Sequence, residues 1–366
     1  MPHHLCQADR NMSEYPMHPQ QQREPHQLTA GRDDAGRRLD RIVRRAFPSL
    51  SLSLLHRLMR TGAIRLNGTR CTAASRVAEG DVISVHLPAD DAAANRNATA
   101  VTASAHGSAV VPDGSEDTKS DPLIAGRILL ENEHILAVHK RRGTLVHGEG
   151  SLAESVTRYL SGSLPPSLSF RPGPLHRLDR NSSGVILFGK SIEGARRFSQ
   201  LLRERSVIKR YVAVLSGALR GDASWDQAIE RDHRAMRSTA GERGDDALTR
   251  VRSLAHGKDH RGAPLTLALC EIHSGRTHQI RAHAAEAGTP LAGDAKYGGG
   301  SILGGYVLHA LSIELLEPDP ILGFHVLVDP VEQATQERIE RWFGPDGQRA
   351  VRAVAQIDGK RLHLRP

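Results

Sequence analysis

One acid stands between two arginines in the string Gly173-Pro174-Leu175-His176-Arg177-Leu178-Asp179-Arg180-Asn181-Ser182-Ser183-Gly184, directly ahead of the apolar run Val185-Ile186-Leu187-Phe188. Proline and glycine fix a loop, and the strand that follows anchors it. Positive charge from Arg177 and Arg180 favours the ionised form of Asp179, which suits a nucleophile or an electrostatic element better than a general acid. The same string also fits an ordinary loop ion pair with a turn cap from Ser182 or Ser183, so context must separate the two. That context is Glu271-Ile272-His273-Ser274-Gly275-Arg276-Thr277-His278-Gln279-Ile280-Arg281-Ala282-His283. Here a strand turns at Ser274-Gly275, Thr277 can cap a helix, and Arg276 lies where that helix starts. Beside the unpaired amides of a first helical turn, Arg276 would make a positive site for a phosphate or an ionised aspartate. His273, His278 and His283 recur every five residues, which sets neighbours about 140° apart around a helix. With no H-E-x-x-H string, a metal site is not indicated.

These residues need a scaffold, and 366 residues suffice for two folded units joined by a linker. The larger unit spans about 123–345. Its candidate strands are Ile135–His139, Val185–Phe188, Tyr211–Leu215, Leu265–Ile272 and Phe324–Val328, with helix-like stretches at Ile192–Leu202 and Thr277–Ala287. Short strands with few intervening helices give an α+β unit rather than a doubly wound parallel sheet. No glycine-rich phosphate loop follows the first strand, so no nucleotide cofactor is expected. Residues 346–366 read as a C-terminal tail in which Arg361–Leu364 can add a short strand.

A smaller unit occupies 36–88. Leu39, Ile42, Val43 and Ala46 mark one face of a helix whose other positions hold Arg37, Arg38, Arg41, Arg44 and Arg45. Ser51 can cap a second helix carrying Leu55, Leu58 and Met59, and Gly62 can end it in the left-handed conformation. The segment Ala63–Leu66, the hairpin signal Asn67-Gly68 and a strand after Gly80-Asp81 complete an α-α-β unit. Ten arginines, among them Arg57, Arg60 and Arg65, face three acids here. Such a density points to an RNA-binding surface. Residues 1–35 have few large apolar side chains and read as a disordered leader. Residues 89–122, with six acids against two bases, read as a flexible linker.

The chain as a whole carries 49 basic and 41 acidic side chains, net +8, which fits nucleic acid as a partner. No apolar run approaches the roughly 18 residues of a membrane span, and the first residues lack a signal-peptide core, so no membrane partner is expected. Cys6, Cys71 and Cys270 form no C-x-x-C pattern, and a reducing cytoplasm fits. Oligomeric state leaves no trace in the sequence, and a monomer is the default.

The two chemical strings together resemble the large-ribosomal-subunit-type (RluA-like) pseudouridine synthases. The resemblance rests on five motifs in family order: His176–Gly184, Tyr211-Val212-Ala213, Gly275–His283, Gly293-Asp294-Ala295-Lys296-Tyr297-Gly298, and Leu308-His309-Ala310. The smaller unit, with Arg37-Arg38-Leu39-Asp40 and Leu55–Gly68, is similar to the ribosomal-protein-S-four-like RNA-binding module. Departures from the family pattern are Ser182 for threonine, Asn181 for a frequent acid, and Lys140-Arg141-Arg142-Gly143 in place of a K-P-x-G loop.

The resemblance implies a mixed or antiparallel-sheet catalytic domain that isomerises a uridine already in RNA, without cofactor or metal. Ribosomal RNA is favoured as substrate and transfer RNA is the alternative. It implies Asp179 as nucleophile, or as base in a glycal route, with Arg276 paired to it and Arg177 or Arg281 as weaker candidates. Tyr211 would stack on the extruded uracil and assist proton loss from carbon 5. Lys209 and Arg210, together with Arg203 and Arg205, would favour phosphate on the same side, and His176, Arg177 and Arg281 would contact the RNA substrate. Arg38, Arg41, Arg45, Arg57, Arg60 and Arg65 would dock structured RNA. A non-catalytic RNA-binding or ribosome-assembly protein on the same fold is the competing reading. A nucleoside or glycoside hydrolase is disfavoured, because no second carboxylate stands in a comparable motif.

Overall fold

The structure, a computed structural model, describes residues 25–87, 121–164, 167–232 and 237–356. The chain divides into two compact units, one of residues up to 30 with 36–106 and the other of 31–35 with 107–366.

In the first unit, helices α1 (Leu39–Ala46) and α2 (Leu52–Thr61) bury Leu39, Ile42, Val43, Leu55, Leu58 and Met59, the residues that share one face by periodicity. Ser51 Oγ accepts the Leu54 amide at 3.2 Å, and Gly62 closes α2 at φ +79°. The sheet order is β1 (His26–Thr29), β4 (Val82–Val85), β2 (Ile64–Leu66), β3 (Thr69–Arg70), all antiparallel. Asn67 and Gly68 turn the β2–β3 hairpin, both with positive φ. Strand β1 corrects the expected leader: residues 25–35 are ordered, with His26 opposite Val85 and Leu28 opposite Ile83. Its hold is mainly backbone pairing with one buried side chain, Leu28, and so it leaves no hydrophobic period to read. Residues 1–24 lie outside the described residues.

The second unit is built on a ten-stranded mixed sheet. Its strands are β5 (Ile128–Glu131), β6 (Ile135–Lys140), β7 (Gly173–Pro174), β8 (Ser183–Gly189), β9 (Val207–Ser216), β10 (Asp222–Trp225), β13 (Thr249–Lys258), β14 (Pro264–Ile272), β15 (Leu308–Asp319) and β16 (Phe324–Val328). The order is β10-β13-β14-β9-β15-β8-β6-β5, with β16 on β15 and β7 on β8. A separate hairpin pairs β11 (Ala228–Asp232) with β12 (Arg237–Gly241). The helices are α3 (Leu152–Leu160), α4 (Ile192–Arg203), α5 (Gln279–Glu286) and α6 (Gln333–Ala355). All pairings in the large sheet are antiparallel except β8 with β15, which run parallel at Ser183–His309 and Gly184–Ala310. Gly184 is required there: its φ is +113° and a Cβ would stand 2.3 Å from the Ala310 carbonyl oxygen.

Alternation along β9 sends Val207, Tyr211, Ala213 and Leu215 into one core and Val212 and Val214 into the other. The second core is closed by α6, whose Val351 and Val354 are buried. This corrects the expected tail, since residues 346–355 are helical. Gly344, at φ 64° and ψ −160°, kinks the chain, and Pro345 starts a second helical run instead of ending the first. The strand expected at Arg361–Leu364 lies outside the described residues, as do residues 89–120 of the expected linker. Its last residues are ordered, because Asp121 accepts the Leu123 amide at 2.9 Å and pairs with Arg158 at 2.7 Å.

Candidate active site

The loop between β7 and β8 is stitched to the sheet before it reaches its acid. Leu175 N donates to Leu187 O at 2.8 Å, and Leu187 N donates to His176 Nε2 at 3.0 Å. An imidazole that accepts at Nε2 carries its proton at Nδ1, and burial, with the charge of Lys209 adding to it, pushes the His176 pKa down to about 3. His176 is thus a neutral strap for the loop that also lines the cleft. The Ser182 amide then bonds the Asp179 carbonyl at 3.0 Å and closes a turn that projects the Asp179 carboxylate into a cleft of about 660 Å³. Beyond the loop, Ser183 Oγ lies 3.0 Å from His309 Nδ1, and His309 Nε2 lies 2.7 Å from the Asp329 carbonyl oxygen.

Arg281, not Arg276, meets Asp179: Arg281 Nη1 is 3.0 Å from Asp179 Oδ2. Its Nε and Nη2 grip Asp294 in a fork at 2.7 and 2.9 Å. Tyr297 and Tyr306 cover the guanidinium, their centroids 4.7 and 5.0 Å from Arg281 Cζ. Burial alone would lower the Arg281 pKa, but hydrogen bonds to Asp294 and the carboxylates around it raise it instead. Arg276 lines the cleft without reaching Asp179. Its side chain is 42% exposed and sits 3.0 Å from Asp245.

A single backbone feature accounts for this correction. His278 adopts φ 56° and acts as the N-cap, so the helix starts at Gln279 and turns Arg281 toward the loop. Thr277 does not cap; its Oγ1 accepts Arg177 Nη1 at 3.2 Å. Gln279 does the local work instead, accepting from Ser274 Oγ at 2.8 Å and Arg276 N at 3.2 Å. His278 Nε2 stands 3.8 Å from Asp179 Oδ1, and its Nδ1 is 2.9 Å from Tyr297 Oη. Burial lowers the His278 pKa against the pull of Asp179.

Tyr211 lines the cleft, as expected. Burial, with the Asp179 charge adding to it, pushes its phenol pKa up and keeps the ring neutral. Lys209 shares the Tyr211 face of β9, whereas Arg210 points away into a buried triad with Glu271, at 3.1 Å, and Glu314. The expected phosphate role of Arg210 is therefore withdrawn. The loop that lacks the family's proline is held by other means. Lys140, at the end of the apolar strand β6, donates to the carbonyls of Ser182 (2.6 Å), Arg180 (3.1 Å) and Arg141 (3.2 Å). Gly143 N and Arg180 Nε add reciprocal bonds to the Arg180 and Gly143 carbonyls at 2.8 and 3.1 Å. Asp294 and Tyr297 were visible only as members of a motif, and Lys140 and Tyr306 gave no signal for this role. In the smaller unit Arg38, Arg41, Arg45, Arg57, Arg60 and Arg65 are all exposed, with Arg38 paired to Asp40 at 2.7 Å.

Among the described residues, no three His, Cys, Asp or Glu side chains gather in a group that could hold a metal ion, and no helix is long and apolar enough to cross a membrane. Asp179, ion-paired to Arg281, and Tyr211 line one cleft large enough to hold a nucleotide. Comparison with known proteins agrees. Residues 134–286 match the RNA pseudouridylate synthase model, and residues 37–83 match the S4 domain. The chain belongs to the RNA pseudouridine synthase family and is an isomerase. It is 30% identical over 302 residues to ribosomal large subunit pseudouridine synthase C of Escherichia coli K12, covering 78% of this chain and 87% of that one. Identity to ribosomal large subunit pseudouridine synthase D of Xylella fastidiosa is 29% over 328 residues, covering 85% and 90%. Among solved structures, human RNA pseudouridylate synthase domain containing 1 matches 58% of this chain and 93% of its own at 24% identity and a TM-score of 0.44.

Proposed function

We propose that this enzyme converts uridine to pseudouridine in large-subunit ribosomal RNA, with Asp179 as the group that attacks the sugar. The carrying observation is the Asp179–Arg281 pair facing Tyr211 across the cleft. A uracil buried in folded RNA must first swing out of its stack, at about a few kcal/mol, and the neutral Tyr211 ring offers it a replacement stacking partner. In the nucleophilic route, an Asp179 oxygen bonds to C1′ as the C1′–N1 bond breaks and the electron pair stays on the uracil. The base turns, C5 bonds to C1′, and the carboxylate leaves with its pair. The proton on C5 is then lost and N1 gains one, so the product is an isomer of the substrate. In the glycal route, Asp179 instead takes a proton from C2′ and later returns it. Arg281 holds one carboxylate oxygen in either case and leaves the other free to react.

The large-subunit names of the relatives in Escherichia coli and Xylella fastidiosa support the choice of ribosomal RNA. The test is incubation with separated ribosomal and transfer RNA, followed by carbodiimide-adduct primer extension, with Asp179→Asn in parallel. Wild type should mark one or a few positions in large-subunit RNA, and the variant none. Marks in transfer RNA alone would overturn the substrate assignment, and full activity in Asp179→Asn would overturn the role of the acid.

The exposed arginines of the first unit support RNA docking by that unit. Replacing Arg41, Arg45 and Arg57 together by alanine should weaken RNA affinity and reduce the slope of log K against log salt by about 2–3. Filter binding between low and moderate salt measures both, and an unchanged slope would remove this unit from the RNA contact.

A further inference from the structure

Lys209 occupies a position that the loop and ion-pair chemistry above leaves unexplained. Its β9 neighbours across the sheet are Ile272 and Ile313, and it lies two residues before Tyr211 on the same face. The residue is only 4% exposed, yet its ammonium makes no hydrogen bond or ion pair with any described residue. It abuts the Ser274–Gly275 turn so closely that a Cβ at Gly275 would stand 2.8 Å from Lys209 Nζ. The ring beside it, His176, is neutral and supplies no counter-charge. Burial pushes the Lys209 pKa down to about 8. The ammonium lines the cleft with no acceptor among the described residues, so it is placed to receive one from a ligand.

The cleft decides which acceptor. Arg203 and Arg205, exposed where α4 ends, are suited to phosphates that stay at the rim. Lys209, by contrast, is nearly buried in the cleft wall and shares the β9 face of Tyr211, the side on which a base stacked on that ring would lie. Uracil carries two carbonyl oxygens, one on each side of N3–H. Turning the base about the line through N3 and C6 exchanges N1 with C5 and O2 with O4. A donor that faces one carbonyl before the turn therefore faces the other after it. Cytosine lacks this symmetry, because its amino group would bring a donor against the ammonium in one of the two orientations.

We propose that Lys209 donates to a carbonyl oxygen of the flipped-out uracil, keeps that contact as the base turns, and so reads uracil against cytosine. This rests on the function proposed above and adds the residue that selects the base. The test uses a stem-loop carrying the target uridine, prepared with uridine, 2-thiouridine or 4-thiouridine at that position, in single-turnover reactions. Sulfur accepts hydrogen bonds poorly. Wild type should therefore be slowed about tenfold by at least one thio substitution, the fold-change that matches a lost charge-assisted hydrogen bond. Lys209→Met should be slowed on uridine by a similar factor and should treat oxygen and sulfur alike. A competing stem-loop with cytidine at the target should bind worse than the uridine form to wild type, and equally well to the variant. Equal thio effects in Lys209→Met and wild type would overturn the proposal. So would a wild type indifferent to sulfur, a result that needs no variant to fold. Failure of wild type to modify uridine at all would instead overturn the function itself.

Discussion

Arg281→Met is expected to lower kcat by about 10²–10⁴-fold while Arg276→Ala stays within about twofold of wild type. Arg281 is the only guanidinium on Asp179 among the described residues, and it is held from three sides. Methionine keeps much of its volume between Tyr297 and Tyr306 but releases the carboxylate to rotate and leaves Asp294 buried without its partner. Lysine would keep the charge and lose the fork that binds two acids at once. Asp294 acts through Arg281 and does not itself contact Asp179, so it is a positioning residue. Asp294→Asn should lower kcat by about tenfold with little change in KM, because RNA binding does not depend on how Arg281 is aimed. Single-turnover and steady-state rates on the same stem-loop separate the two constants. An inactive Arg276→Ala beside an active Arg281→Met would reverse the assignment.

The sequence was most legible where one face of an element is buried. Ile192–Arg203 and Phe324–Val328 follow their periods within a residue, and β9 and β14 extend the expected runs by a few residues. Legibility fell where backbone conformation, not side-chain pattern, sets direction. His278 in the left-handed region starts α5 two residues late and exchanges Arg281 for Arg276 at the acid. No period or composition encodes that choice, since positive φ is uncommon for any residue other than glycine. Register, too, was silent: Lys209 and Arg210 look alike in sequence, yet neighbours on a strand point to opposite faces. Arg210 then satisfies Glu271 and Glu314 on the adjacent strands, and Lys209 is left for the cleft. The loop at 140–143 lacks the family's proline, and three carbonyls converging on the Lys140 ammonium replace that conformational restriction with hydrogen bonds, which no sequence pattern announces.

Lys140→Met should destabilise the protein by about 2–4 kcal/mol at pH 7, because it strips the donor from carbonyls of Arg141, Arg180 and Ser182 in the interior. The penalty should also depend on pH in a defined direction. Burial, opposed by Asp179, lowers the Lys140 pKa to about 8 from the ordinary 10.5. Below pH 8 the folded and unfolded chains both carry the proton, and the group gives no pH dependence. Between about 8 and 10.5 the unfolded chain still holds a proton that the folded chain has released, so folding stability rises with pH through this window. Above it the gain is complete, at about 3 kcal/mol by the same linkage. A neutral amine keeps two N–H donors, so two of the three carbonyl contacts persist as the charge is lost. Lys209 titrates in the same range but is common to both proteins, and its contribution cancels in the difference. Urea unfolding of wild type and Lys140→Met at pH 7 and pH 10 should therefore show the gap between them widening with pH. A gap that narrows would mean that Lys140 keeps its proton in the folded state and that its charge, not its donor geometry, anchors the loop.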